Sequence, residues 1–343
     1  MEYRKLGNSG AVVSAFAMGT MTFGWEADEA TSYKLMDDYV AAGGNFFDTA
    51  DVYSNGKSEQ IIGRWLADHP TERDQVVLAT KGRFPMGDGP NDHGISRRHL
   101  TRALDDSLQR LGVEHVDLYQ MHAWDALTPI EETLRFLDNA VSSGKISYYG
   151  FSNFLGWQLT KAVHVAKAHS FSAPVTLQPQ YNLLVRGIES EIVPASLDAN
   201  IGLLPWSPLA GGWLAGKYKR DTVPTGATRL GEDPERGMEA FTPRNAEERT
   251  WQIIDTVAGI AKAHGVSSAQ VSLAWLAAQP AVTSVILGAR TQQQLADNLG
   301  AATLKLSVEE ISKLSTVSAP VLEDYPYGTG GESQRGRKIS GGR

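Results

Sequence analysis

Apolar, strand-like runs in the first third of the chain stop on ionisable residues. Phe46-Phe47 runs into Asp48, with Tyr53 a few positions on. Val76-Val77-Leu78-Ala79-Thr80 stops on Lys81, and Val116-Asp117-Leu118-Tyr119-Gln120-Met121 stops on His122. A phenol beside an ammonium and an imidazole is a proton-donor assembly. Hydride transfer to a carbonyl leaves an alkoxide that needs a proton; a phenol, with an ordinary pKa of about 10, supplies it better when a nearby cation lowers that value. On this reading Tyr53 is the acid and Asp48 keeps Lys81 charged and in place. His122 hydrogen-bonds the carbonyl oxygen or Tyr53, and no metal is required. Taken singly, Asp48 could be a helix cap or turn carboxylate, Tyr53 a half-buried aromatic and His122 a structural histidine. Lys81 fits a bland role less well, because a lysine ending an apolar strand loses solvation and needs a carboxylate partner. Together on neighbouring strands, the residues argue for a functional site.

Helical patterns separate these runs, so consecutive parallel strands deliver them to one rim. The alternation continues past the middle without a linker, which predicts an α/β fold, a (β/α)8 TIM barrel whose C-terminal rim carries the site. Strand one is Phe16-Ala17-Met18; strands five to eight fall at Ile146 to Phe151, Val175 to Leu177, Ile201 to Leu204 and Ser284 to Leu287. Around the turn signal Gly7-Asn8-Ser9-Gly10, Tyr3 to Leu6 and Ala11 to Val13 predict an N-terminal β-hairpin that closes the barrel bottom. After strand seven, Gly211 to about Asn245 is long, polar and punctuated by Gly and Pro, as in a lid or binding loop. A single barrel domain is expected over residues 1–320, with a loosely ordered tail over 321–343.

The chain has 343 residues, a net charge of −7 and no cysteine. Disulfides, thiolate catalysis and Cys-ligated metal sites are thereby excluded. With no long basic run, nucleic acid and anionic membrane are poor partners. The opening residues lack the apolar core of a signal peptide, and no uncharged apolar run approaches the ~20 residues that span a bilayer, so a cytoplasmic location is expected. Gly211-Gly212-Trp213-Leu214-Ala215-Gly216-Lys217 fits the start of a phosphate-binding P-loop. Tyr218 stands where the Mg²⁺-binding Ser or Thr belongs, and Pro205 and Pro208 interrupt the strand before it, so an NTPase is rejected.

Over nearly its whole length the chain resembles the aldo-keto reductases. Phe47-Asp48-Thr49-Ala50-Asp51-Val52-Tyr53 with Ser58-Glu59 resembles the family's strand-two signature, and the catalytic tetrad carries over as Asp48, Tyr53, Lys81 and His122. Gly150-Phe151-Ser152-Asn153-Phe154 resembles its nicotinamide-amide motif. Gln178-Pro179-Gln180-Tyr181-Asn182 resembles the strand-six motif in which a glutamine, here Gln178, holds the same ring and an aromatic, here Tyr181, lies near it. Trp206-Ser207-Pro208-Leu209-Ala210-Gly211-Gly212 resembles the pyrophosphate loop. Ile286-Leu287-Gly288-Ala289-Arg290, with Gln294 and Asn298, resembles the adenosine-phosphate motif. The resemblance also implies a cofactor role for Thr20. Ala123-Trp124-Asp125 after His122, and Ser147 in strand five, depart from the family pattern.

No Gly-x-Gly-x-x-Gly follows a strand, so a Rossmann domain is not expected. The resemblance implies instead NADP(H) extended across the barrel mouth. Arg290, just past strand eight at the start of a helix, suits a terminal phosphate. By resemblance, Lys217 and Arg229 close over the phosphates from the long loop. Trp25, Phe84, Trp124 and Trp213 each follow a strand end and are candidate walls of a substrate pocket above Tyr53. The leading expectation is an NADPH-dependent reductase of a small-molecule aldehyde or ketone, including sugar-derived carbonyls. Alternatives are an NADP(H)-binding regulatory subunit, like the potassium-channel β-subunits that share this fold, and, last, a metal-dependent barrel hydrolase.

Overall fold

The structure, a computed structural model, describes residues 1–226 and 228–335. Among the described residues, short β-branched and aromatic runs form ten strands. Strands β1 (Tyr3–Lys5) and β2 (Val12–Ser14) pair antiparallel, with Lys5 opposite Val12. The others are β3 (Phe16–Gly19), β4 (Phe46–Asp48), β5 (Val77–Gly82), β6 (Val116–Met121), β7 (Ile146–Ser152), β8 (Thr176–Gln178), β9 (Gly202–Leu203) and β10 (Val285–Gly288). They form one parallel sheet in the order β10-β3-β4-β5-β6-β7-β8-β9. The sheet curls until its edges meet. Backbone bonds run from Leu203 N to Ala281 O (2.8 Å), from Thr283 N to Leu203 O (2.9 Å) and from Ile286 N to Pro205 O (3.0 Å). Eight parallel strands joined in this way are the arrangement expected of a (β/α)8 barrel.

The two-residue period of a strand explains how polar groups gather at one end. Inward positions near the start of the strands are apolar. Ala17, Phe46, Ala79, Leu118, Val175, Leu204 and Ile286 form an inner cluster with Leu6 and Val13 from the hairpin. Two residues further along β4 and β5 the same face carries Asp48 and Lys81, and β6 carries Gln120 and then reaches His122. The hairpin therefore plugs the apolar end and leaves the polar end open. Each fully buried aliphatic or aromatic side chain in this plug contributes roughly 1.5–3 kcal/mol.

Outward positions such as Phe47, Leu78, Tyr119, Phe151 and Leu287 pack under the helices. Helix Lys57–Asp68 buries Ile61, Ile62, Trp65 and Leu66, with the Trp65 ring edge-on to Phe47 at 5.4 Å. Helix Glu29–Ala41 starts where Asp28 accepts from the Thr31 amide at 2.8 Å. Ser96 caps helix Arg97–Leu111 in the same way, and left-handed Gly112 ends it.

The segment after β9 is more structured than its composition implies. It holds short helical pieces at Ala210–Ala215, Arg229–Glu232, Gly237–Glu239 and Phe241–Ala246. Buried Leu214, Leu230 and Phe241 join it to the main cluster that lies between the sheet and the helices. Beyond residue 320 a helix covers Thr329–Arg335, and the Tyr327 hydroxyl donates to Glu191; residues 336–343 of the expected tail lie outside the described residues. Among the described residues no helix is long and apolar enough to cross a membrane.

Candidate active site

Asp48 ends β4 and Lys81 lies near the end of β5, both fully buried. Lys81 Nζ donates to Asp48 Oδ2 at 2.6 Å, to the Thr49 carbonyl at 2.7 Å and to Tyr53 Oη at 3.2 Å. All three ammonium protons are thus placed. Asp48 Oδ1 accepts from Gln178 Nε2 at 2.8 Å and from Gln120 Nε2 at 3.3 Å. Burial pulls the Lys81 ammonium down, but Asp48 and Tyr53 outweigh it, and its pKa sits above the ordinary lysine value.

Tyr53 enters from a tight turn, Tyr53–Gly56, rather than from a strand. Ser54 and Asn55 are left-handed there, with φ of 49° and 53°. Ser54 Oγ donates to the Phe23 carbonyl at 2.7 Å, which helps hold the turn. Gly56, at φ 84°, permits the close approach of Arg110, whose Cδ would lie 2.8 Å from an added Cβ. The tyrosine expectation needs one correction. Lys81 was expected to lower the phenol, but burial is the larger effect and Asp48 adds to it, so the Tyr53 pKa is raised. The phenol therefore stays protonated. His122 sits edge-on to Tyr53 at 5.8 Å between ring centroids, with no hydrogen bond between them. Burial, then the Lys81 charge, hold its pKa well below the ordinary histidine value, so it is a neutral imidazole. Its Nδ1 is buried without a partner.

Two groups missing from the sequence expectation belong to this assembly. Gln120 is legible in hindsight, since it lies two positions before His122 on the inward face of β6. Asp51 is fully buried behind Tyr53, and neither of its carboxylate oxygens has a well-formed hydrogen bond. Burial and the neighbouring Glu59 raise its pKa to about 7, and the Val52 amide offsets only part of this. Glu59 itself is held by Thr80 Oγ1 at 2.6 Å and Arg110 Nε at 2.7 Å.

A cavity of about 400 Å³ starts at Asp48, Tyr53 and His122 and continues past Trp206 to Lys217, Arg229, Arg236 and Arg290. Its lining includes Thr20, Ser152, Asn153, Gln178, Ser207, Pro208, Leu209, Gly211, Gly288, Gln294 and Asn298. Several of these are held by neighbours. Asn153 Nδ2 donates to the His122 carbonyl at 2.9 Å, and its Oδ1 accepts from Trp206 Nε1 at 3.1 Å. Ser152 Oγ donates to the Gln178 carbonyl, and Gln294 Oε1 accepts from the Arg290 amide. Thr20 Oγ1 donates to the Asp48 carbonyl at 3.0 Å. The far end crowds cations. Burial, then Arg236, lower the Arg229 guanidinium, and its Nε is buried without a partner; desolvation, then Arg290, lower Lys217. Such an end suits the phosphates of a dinucleotide, and a buried, unmatched guanidinium N–H is the group they would satisfy.

Other expected residues fall elsewhere. Tyr181 does not line the cavity. Its hydroxyl donates to Glu189 at 2.6 Å, and its ring packs edge-on to Trp275. Gln178 and Gln180, two apart, line the cavity instead. Trp213 is fully buried in the main hydrophobic cluster, stacked on Phe241 at 5.4 Å, with Nε1 donating to the Glu239 carbonyl. Trp25 is exposed under the Arg236 guanidinium at 4.5 Å, and Trp124 packs edge-on to Phe154 and Trp157. Neither lines the cavity. Of the expected aromatic walls only Phe84 touches the Tyr53–His122 cluster, with its ring centroid 4.6 Å from that of His122, and it too is absent from the cavity lining.

Comparison with known proteins agrees with this fold. The profile of the aldo/keto reductase family matches residues 15–319. An uncharacterised oxidoreductase, YrpG, of Bacillus subtilis is 39% identical, over 97% of this chain and 98% of its own. A protein described as a probable voltage-gated potassium channel subunit beta, from rice (Oryza sativa subsp. japonica), is 37% identical, covering 92% of this chain and 96% of its own. Versiconal hemiacetal acetate reductase of Aspergillus parasiticus is 34% identical over 93% and 98% of the two chains. With a profile match across almost all of the barrel and relatives aligned end to end, the chain belongs to the aldo/keto reductase family.

Proposed function

We propose that the protein is an NADPH-dependent reductase of aldehydes or ketones, sugar-derived carbonyls among them, with Tyr53 as general acid. One observation carries the reading: the buried relay from Asp48 through Lys81 to the protonated Tyr53 opens into the same cavity that ends among Lys217, Arg229 and Arg290. Bound there, the reduced nicotinamide supplies the hydride. The chain's own residues manage the proton. Tyr53 gives its phenolic proton to the substrate oxygen. Lys81, 3.2 Å from Tyr53 Oη, steadies the phenolate left behind. Asp48 and the Thr49 carbonyl keep that ammonium charged and aimed. Neutral His122 offers the same oxygen a hydrogen bond without competing as an acid. On this reading Arg290 takes the cofactor's terminal phosphate, a role supported by its place in the cavity lining. The reading expects a small-molecule carbonyl substrate in the cytoplasm and no nucleic-acid or membrane partner.

The test is NADPH consumption across a panel of aldehydes, diketones and keto-sugars, with Tyr53→Phe measured beside the parent. Turnover that falls by about 10²–10⁴ in the variant, while NADPH still binds, is expected for a lost general acid. Full activity in Tyr53→Phe would sink the assignment. A second reading, a nucleotide-binding regulatory subunit with little turnover, draws support from relatives named as potassium channel β subunits in rice and Arabidopsis thaliana. Tight NADPH retention with no turnover on any carbonyl would favour it.

A further inference from the structure

The cationic end of the cavity already contains an anion. Glu26 lines it, and one of its oxygens, Oε1, accepts from Arg290 Nη2 at 2.8 Å and from Arg236 Nη1 at 3.4 Å. Its side chain is only 11% exposed. The placement is fixed by the backbone. The Gly24 amide bonds the Ala27 carbonyl at 2.8 Å and the Ala27 amide bonds Thr22 O at 2.9 Å, closing the turn that carries Glu26. Thr22 Oγ1 donates to the Ala289 carbonyl at 3.0 Å, which ties that turn to the residue just before Arg290.

A carboxylate in this place treats the two nicotinamide dinucleotides differently. A 2′-phosphate has to share or take the Arg290 guanidinium, whose Nη2 Glu26 holds at 2.8 Å and whose Nη1 Glu232 holds at 3.3 Å; of these two carboxylates only Glu26 lines the cavity, so its negative charge is the one the phosphate meets as it arrives. A ribose 2′-hydroxyl carries no charge and can donate to a carboxylate, as acidic residues do for NAD in other folds. We propose that Glu26 is a specificity-determining residue that narrows the preference for NADP(H) over NAD(H) by occupying the cationic subsite around Arg290. The proposal rests on the reading of this cavity as a dinucleotide site.

The experiment is direct binding of NADPH and NADH to the full chain, wild type and Glu26→Gln, by calorimetry. Glu26→Gln keeps the shape and removes the charge. Because one charge-assisted contact is freed, the NADPH-to-NADH affinity ratio is expected to rise by about tenfold. Glu26→Asp, shorter by a methylene and so drawn back from Arg290 though still charged, is expected to raise the ratio by about threefold, and it decides the matter if Glu26→Gln fails to fold. A ratio within about twofold of wild type in either variant, with both nucleotides still bound, overturns the role of Glu26 alone. Wild-type protein that binds neither nucleotide overturns the reading of the cavity, and the proposal with it.

Discussion

Replacing Asp51 by Asn should make the protein more stable at neutral and alkaline pH and leave acid stability nearly unchanged. Asp51 is fully buried, its oxygens lack well-formed hydrogen bonds, and burial together with Glu59 puts its pKa at about 7 against an ordinary 3.8. The sign follows from which state binds the proton. Below pH 3.8 the carboxyl is protonated in both folded and unfolded chains and costs nothing extra. Between 3.8 and about 7 the unfolded chain gives up the proton while the folded chain keeps it, so stability falls as pH rises. Above that the loss is constant. At about 1.4 kcal/mol per pH unit, the full loss is about 4 kcal/mol.

Asn matches the carboxyl in shape and cannot ionise. Any difference in packing or hydrogen bonding between the two side chains is the same at every pH, so it drops out of the comparison across pH. Urea unfolding of both proteins at about pH 4, 5.5, 7 and 8.5 measures what remains. The expected result is a variant-minus-parent stability that grows from pH 4 to pH 8.5 by several kcal/mol, with most of the growth complete near pH 7. A difference that does not change with pH would show that Asp51 is solvated or paired in the folded protein, and the reasoning would fail.

Because burial keeps Tyr53 protonated and His122 neutral, carbonyl reduction should change little between about pH 6 and 8, and the reverse alcohol oxidation should rise with pH. An inflection near pH 7 in kcat/KM for reduction that persists in Asp51→Asn would contradict this. Trp213→Ala should destabilise the chain by about 3–5 kcal/mol, as truncation of a fully buried aromatic does, and thermal unfolding checks it. A change under about 1 kcal/mol would mean that the ring faces the cavity after all.

The cluster of Asp48, Lys81 and His122 was legible because a strand forces alternation. Asp48, Lys81 and His122 each terminate an apolar run, and on parallel strands that places them on one rim. The same rule, applied one step further, separates Gln178 and Gln180 from Tyr181. Resemblance to the strand-six motif implies a place for Tyr181 near the cofactor, whereas the period of two sends its ring outward to Trp275. Trp213 was not legible. It lies in a segment of mostly polar composition, and the apolar partners that bury it, Tyr218, Phe241 and Trp251, come at spacings that follow no helical or strand period. Asp51 was hidden for another reason. Nothing in a turn sequence distinguishes a solvated carboxylate from one sealed under its neighbours.

The ion pair at the centre is better explained by chemistry than by stability. Removing Asp48 and Lys81 from water is costly, and well-packed apolar residues often hold a core as well as a buried pair does. What surrounds the pair limits that cost: the Thr49 carbonyl and Tyr53 take the remaining Lys81 protons, and Gln120 and Gln178 supply the second Asp48 oxygen. A core built only for stability would have no use for this arrangement. An ammonium held permanently charged beside a phenol that burial keeps protonated is suited to giving up one proton and steadying the anion that remains. Variation in partner or substrate can then arise at the rim, in the turn that carries Glu26 and in the segment after β9. Relatives with names as different as a reductase and a channel subunit can share the barrel on those terms.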